Sequence, residues 1–140
     1  MIYLPNQLTS LTIKSMEITD DGLSNFPSTL LELNIHNIDT ITDNGLKNVF
    51  LSCGSSLQRL ELENTAQITD ESLQTLSSKL THLKLSGQYH IGWNFSQNFN
   101  LKSTKFIQNL KVLHLEAINS ITDDVIQLAS PSLCKISGNI

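Results

Sequence analysis

The spacing Leu-x-x-Leu-x-Leu recurs along the chain and constrains the fold more than any other feature. Leucine or isoleucine fills the three positions in five copies, and a shortened sixth copy consists of Leu133 and Ile136. Successive copies start 22, 27, 23, 30 and 23 residues apart, at Leu8, Leu30, Leu57, Leu80, Leu110 and Leu133. A hydrophobic pattern with a period of about 20–30 residues is typical of repeat architectures, in which each unit packs on the next. We therefore interpret residues 1–140 as a single repeat domain.

The copy that begins at Leu57 shows how the first half of a unit is built. Alternation along a short strand sends Leu60 and Leu62 to the same, buried face of a sheet. The residues between and after them, Arg59 and Glu61 among them, then point to the opposite face. Each copy of the pattern therefore predicts one strand with an apolar side and a polar side.

A second motif, Ile-Thr-Asp, is predicted to open a short helix behind each strand. It occurs four times, at residues 18–20, 41–43, 68–70 and 121–123. In the third copy, Thr69 or Asp70 offers a side-chain oxygen to the first free N–H groups of the helix. Leu73 and Leu76 then form the inward edge of that helix. A row of aspartates is also compatible with a metal site, but helix capping accounts for each of them, and we expect no metal there.

At these residues the chain resembles the leucine-rich repeat proteins, specifically the cysteine-containing subclass. Residues 30–56 match that pattern most fully, through Ile-Thr-Asp-Asn-Gly-Leu at residues 41–46 and through Cys53. Other residues replace the first consensus cysteine, so we interpret Cys53 as a packing residue. The resemblance implies an α/β fold, a right-handed solenoid with a parallel β-sheet on the concave side and short helices on the convex side. A right-handed strand–crossover–strand connection is also the general rule.

Polar side chains at the outward strand positions are predicted to form the concave face. We take as candidate partner-binding residues Glu32, Asn34, His36, Arg59, Glu61, Glu63, His82, Lys84, His114 and Glu116. Three of the four histidines are in this set, yet His82 and His114 are expected on adjacent strands two positions out of step, and His36 lies two strands from His82. Zinc requires ligands that converge on one point. We therefore predict no metal and no cofactor.

The fourth repeat departs from the pattern. It has Gly92 and Trp93 where other copies have Thr-Asp, and five of the eight aromatic residues lie between Tyr89 and Phe106. Tryptophan is enriched at interaction hot spots, so Trp93 joins the candidate partner-binding residues. The alternative, to which we give more weight, is that these aromatics fold inward and fill a longer loop.

Composition excludes several classes of function. The formal charge of −4 and the pI near 5.4 argue against a nucleic-acid or membrane partner, since both require basic patches. Two cysteines and the lack of a signal sequence predict a reduced, cytoplasmic protein. The sequence has no Gly-rich phosphate loop, His-x-x-x-His pair or Gly-x-Ser-x-Gly motif, so we predict that it is not an enzyme.

The sequence therefore predicts a non-enzymatic module that binds another protein through its concave face. Within the resembled family, such repeats serve as substrate receptors of ubiquitin ligases behind an F-box, and as pathogen effectors. The alternative is a structural solenoid, a piece of a larger protein, that associates end to end with other copies. The chain starts on the tail of one repeat and stops on a strand, and terminal repeats normally need polar caps.

Overall fold

The computed structural model describes residues 4–87, 109–116 and 132–137, and shows an α/β fold built on a parallel sheet. Its described strands are β1 Ser10–Lys14, β2 Glu32–His36, β3 Arg59–Glu63, β4 His82–Ser86, β5 Val112–Glu116 and β6 Lys135–Ser137. The described helices are a 3₁₀ helix at Asp20–Leu23, α1 at Asp43–Cys53 and α2 at Asp70–Leu73. Among these helices, none has the length and apolar character needed to cross a membrane.

The strands stand side by side in the order of the sequence, and each pairs in parallel with the next. Their leucine positions are in register, so that Leu33 of β2, Leu60 of β3 and Leu83 of β4 are aligned. Consecutive parallel strands require a crossover between them, which residues 15–31, 37–58 and 64–81 supply between the first four strands. The predicted pairing of one strand per copy of the pattern is therefore confirmed for the described strands.

One apolar core lies between the sheet and the helices. The inward strand residues Leu60 and Leu62 are buried together with Leu46 and Val49 of α1. Leu76 is also buried, although α2 ends at Leu73, so this inward position does not require the longer helix that the spacing predicts. Leucine burial at these positions is the main source of stability, at about 25 cal/mol per Å² of apolar surface removed from water.

Each of the first four strands is followed directly by a residue with positive φ: Ser15, Asn37, Asn64 and Gly87. The N–H of Asn37 donates to the last carbonyl of β3, and the N–H of Asn64 to the last carbonyl of β4. In addition, the Asn64 amide donates to Asn37 Oδ1 at 2.7 Å. The fourth of these positions is a glycine, Gly87, since a Cβ there would lie 1.8 Å from Asn64 Oδ1. These residues turn the chain away from the sheet in the same manner after each of the first four strands.

The helix caps of α1 and α2 come from threonine. Thr42 Oγ1 accepts a hydrogen bond from the N–H of Asn44, and Thr69 Oγ1 accepts one from the N–H of Glu71, both at 3.2 Å. The corresponding Thr19 makes no side-chain cap, and the segment behind it forms only a 3₁₀ helix. The sequence predicts either threonine or aspartate as the residue that caps each helix. For α1 and α2 the capping residue is threonine.

The aspartates of the motif bond to the next copy of the motif instead. Asp20 accepts the N–H of Thr42 at 2.8 Å and its hydroxyl at 2.6 Å, and Asp43 accepts the same two groups of Thr69 at 2.7 and 2.6 Å. The prediction that the aspartates cap their own helices is therefore wrong for Asp20 and Asp43. The motif at residues 121–123 and the side chain of Asp70 lie outside the described residues.

The bridge from Asp20 also explains a glycine of the sequence pattern. A Cβ on Gly45 would lie 2.3 Å from Asp20 Oδ1 and 3.0 Å from Ile41 Cγ2. Such a contact is far below van der Waals distance, so a larger residue would displace the carboxylate or the helix. Gly45 thus gives the aspartate of the preceding motif room to reach Thr42.

Candidate functional site

The face of the sheet opposite the core is polar, as the alternation predicts. The ten predicted strand residues all lie there, on β2 to β5, and we call this set the polar face: Glu32, Asn34, His36, Arg59, Glu61, Glu63, His82, Lys84, His114 and Glu116. Trp93, the remaining candidate, lies outside the described residues, as does the aromatic segment around it. Whether the polar face binds a partner stays a prediction.

Glu61 lies at the centre of the polar face. Its Oε1 accepts a hydrogen bond from Lys84 Nζ at 2.6 Å, across the β3–β4 pairing in which these two residues are direct partners. This hydrogen bond, together with the negative charge of Glu61, raises the pKa of Lys84 above its ordinary value. On the other side, the same Oε1 is 3.6 Å from His36 Nε2. One carboxylate therefore connects three neighbouring strands.

His36 lies between two carboxylates. Its Nδ1 is 3.6 Å from Glu63 Oε2, and its Nε2 is at the same distance from Glu61. Nε2 is inaccessible to solvent and makes no hydrogen bond to any described residue, because 3.6 Å is too long for one. One nitrogen of His36 and one oxygen from each glutamate lie within 4.8 Å of one another.

This cluster was not predicted from the sequence, because the histidines alone do not converge: His82 is the register partner of Val112, and His114 that of Lys84. The pairing that matters is between His36 and Glu63, which occupy the last strand position in consecutive copies of the pattern. Aligning the copies position by position would have placed the two side chains next to each other.

The other two described histidines have separate partners. The Thr81 hydroxyl lies 2.8 Å from His82 Nδ1, and burial followed by the positive charge of Arg59 lowers the pKa of His82. His114 Nδ1 is 2.6 Å from the Ser137 hydroxyl, which belongs to the neighbouring β6. Both side chains are thus held in fixed orientations on the sheet.

Short polar contacts continue toward β1. The Asn34 amide donates to Thr12 Oγ1 and to Glu32 Oε1, both at 3.2 Å, and Arg59 Nη1 is 3.8 Å from Glu32 Oε2. Among the described residues, opposite charges on adjacent strands meet in two places, Glu32 with Arg59 and Glu61 with Lys84. Arg59 keeps 59% of its side chain exposed, which leaves its charge accessible to an incoming molecule.

The two cysteines differ in environment. Cys53 is fully buried, its thiol donates to the Val49 carbonyl at 3.3 Å, and burial raises its pKa to about 11. Cys134 is exposed. Because the thiolate is the reactive form, both the burial of Cys53 and its raised pKa disfavour reaction at this thiol.

We expect one of the two thiols to react with an aromatic disulfide reagent in the native protein at pH 8, and both after denaturation. The native reaction should disappear in the Cys134→Ser variant, and the liberated thiolate can be followed by its absorbance. Rapid modification of native Cys134→Ser would show that Cys53 is accessible, contrary to its burial.

No family model matches the chain, and the search of curated proteins finds no match.

Proposed function

We propose that this chain is a leucine-rich-repeat solenoid of the cysteine-containing subclass and that its polar face is the concave surface, which binds a partner protein. The proposal is supported by the parallel strands in register, one for each copy of the leucine pattern. The Asp20–Thr42 and Asp43–Thr69 bridges add a second regular connection between successive copies. A right-handed crossover would then place the helices on the convex side.

The observation that carries the binding function is the fixed array of charges on the polar face. Lys84, Glu61 and His36 contact one another in a row across three strands. Side chains that neighbours already hold lose little entropy when a partner binds. Complementary charge on a partner would supply specificity and a fast association rate.

The resembled family suggests two settings for such binding. In one, the polar face recognises the substrate of a ubiquitin-ligase-type assembly, and in the other it engages a target as an effector. Both settings require a protein ligand on the same surface, and both place the module in the cytoplasm. The charge pattern around Glu61 would select the ligand in either case.

Reversing two charges of the polar face tests the proposal. We expect the double variant Glu61→Lys, Glu63→Lys to bind the partners captured by the wild type at least about tenfold more weakly. The new lysines would face positive groups of the partner, and like charges across an interface cost several kcal/mol. The matched control is Glu17→Lys, Glu71→Lys, which changes the net charge equally at exposed positions outside the polar face. Quantitative affinity capture, with far-UV circular dichroism to check folding, gives the comparison. Equal capture by wild type and both variants would contradict the proposal.

Self-association is the second candidate function. The outer strands β1 and β6 each pair on one side within the described sheet, and a second copy could extend such an edge. Light scattering over a concentration series separates the two functions. The molecular mass of both double variants is measured, Glu61→Lys, Glu63→Lys and its control Glu17→Lys, Glu71→Lys. If it rises with concentration in both, self-association is favoured over partner binding through the polar face.

A further inference from the structure

Three side chains at the centre of the polar face offer the ligand types that a transition metal prefers. His36 contributes an imidazole nitrogen, and Glu61 and Glu63 contribute carboxylate oxygens, with the three ligand atoms within 4.8 Å of one another. Imidazole and carboxylate together suit zinc, whereas calcium and magnesium prefer oxygen alone. The donors come from two paired strands in which His36 is the register partner of Glu63. Their backbone positions are therefore set by the sheet.

The second observation is the state of His36. Its side chain is only 18% exposed, and Nε2 is removed from water with no hydrogen bond to a described residue. A buried nitrogen without a partner is destabilising, so such groups in folded proteins call for an explanation, of which a bound ion is one. Nε2 points to Glu61 Oε1 at 3.6 Å. That separation is too long for a hydrogen bond and suits two ligands of one ion.

We propose that His36, Glu61 and Glu63 bind a divalent transition-metal ion of the Zn²⁺ type, a function separate from the binding of a partner protein. Zinc bonds of about 2.0–2.2 Å place the ligand atoms of a tetrahedral site about 3.3–3.6 Å apart. The pair His36–Glu61 meets this distance, and Glu63, with 35% of its side chain exposed, has room to rotate toward the ion. The two carboxylates neutralise the charge of the ion.

Lys84 makes the proposal sharply testable because it competes with the metal. Its Nζ donates to the same Glu61 Oε1 at 2.6 Å, so its positive charge repels an ion at this oxygen and its hydrogen bond competes for the electron density there. Removing the positive charge should therefore tighten metal binding. A unit charge at about 6 Å from a divalent ion in a water-like dielectric corresponds to an effect of about tenfold. A variant that merely damaged the fold would not bind more tightly.

Isothermal titration calorimetry with Zn²⁺, on the full chain without a polyhistidine tag, tests the site. We expect one ion per chain, at least about tenfold weaker binding in His36→Ala and in Glu63→Gln, and about tenfold tighter binding in Lys84→Gln. His114→Ala is the matched histidine control, and Cys134→Ser excludes the exposed thiol as the ligand. Neither control should change the affinity.

Three outcomes would overturn the proposal: no binding of Zn²⁺ by the wild type, binding that survives His36→Ala, or binding lost in Cys134→Ser. Unchanged affinity in Lys84→Gln would also contradict it, since that lysine would then not share Glu61 with the ion. Circular dichroism of each variant, before titration, confirms that the fold is intact.

Discussion

Replacing Leu46 by alanine should lower the free energy of unfolding by about 2–5 kcal/mol. The side chain is fully buried on the inner side of α1, where it belongs to the core between helix and sheet. Truncation removes apolar contacts and leaves a cavity that the close-packed neighbours fill only in part. Urea denaturation followed by far-UV circular dichroism measures the loss as a lower transition midpoint.

Leu51 provides the matched control for this prediction. It lies five residues further along the same helix, but 81% of it is exposed. The Leu51→Ala substitution should therefore change the free energy of unfolding by no more than about 0.5 kcal/mol, as is usual for surface positions. Equal losses in the two variants would contradict the orientation of α1 described above.

Replacing Asp43 by asparagine should cost about 2 kcal/mol of stability, because hydrogen bonds to charged groups contribute about 1.5–3 kcal/mol. Asp43 accepts both the N–H and the hydroxyl of Thr69, at 2.7 and 2.6 Å. An asparagine keeps one acceptor oxygen, now uncharged, for the Thr69 N–H. It presents an NH₂ group to the Thr69 hydroxyl, which can then only accept from it, so both contacts lose the charged acceptor and become weaker. Urea denaturation gives the change in free energy, and hydrogen exchange should show faster exchange at the Thr69 amide.

Asp21→Asn is the control for the loss of a carboxylate. Asp21 is exposed and lies in the first turn of the 3₁₀ helix, so its substitution should leave both the stability and the Thr69 amide almost unchanged. If Asp43→Asn behaved like Asp21→Asn, the bridge would contribute nothing measurable. The comparison separates the bridge from the general effect of removing a negative charge near a helix start.

The leucine spacing predicted the sheet well because burial alternates with a period of two along a strand. From Leu60 and Leu62 alone, the inward face of β3 and the outward positions of Arg59, Glu61 and Glu63 follow directly. The repetition then predicts the neighbouring strands and their register. This part of the fold depends on local periodicity, which a single sequence displays.

The bonds between copies could not be predicted in the same way. The letters Ile-Thr-Asp are equally compatible with an aspartate that caps its own helix and with one that reaches the next threonine, 22 residues away from Asp20. Only the spatial offset between consecutive copies separates these arrangements. The contact between His36 and Glu63 was missed for the same reason, because it joins positions that are 27 residues apart in the chain.

The Asp–Thr bridges have a consequence for how such a chain can change its length. Each threonine accepts a hydrogen bond within its own helix start and donates its hydroxyl to the preceding aspartate. Excision of residues 30–56 as one block would bring the Asp20 carboxylate opposite Thr69, and the same pair of bonds would form again. Excision of a few residues would instead leave a carboxylate facing the wrong group. We therefore expect these bridges to survive insertion or deletion of one whole copy of the pattern, and to be broken by a shorter insertion or deletion.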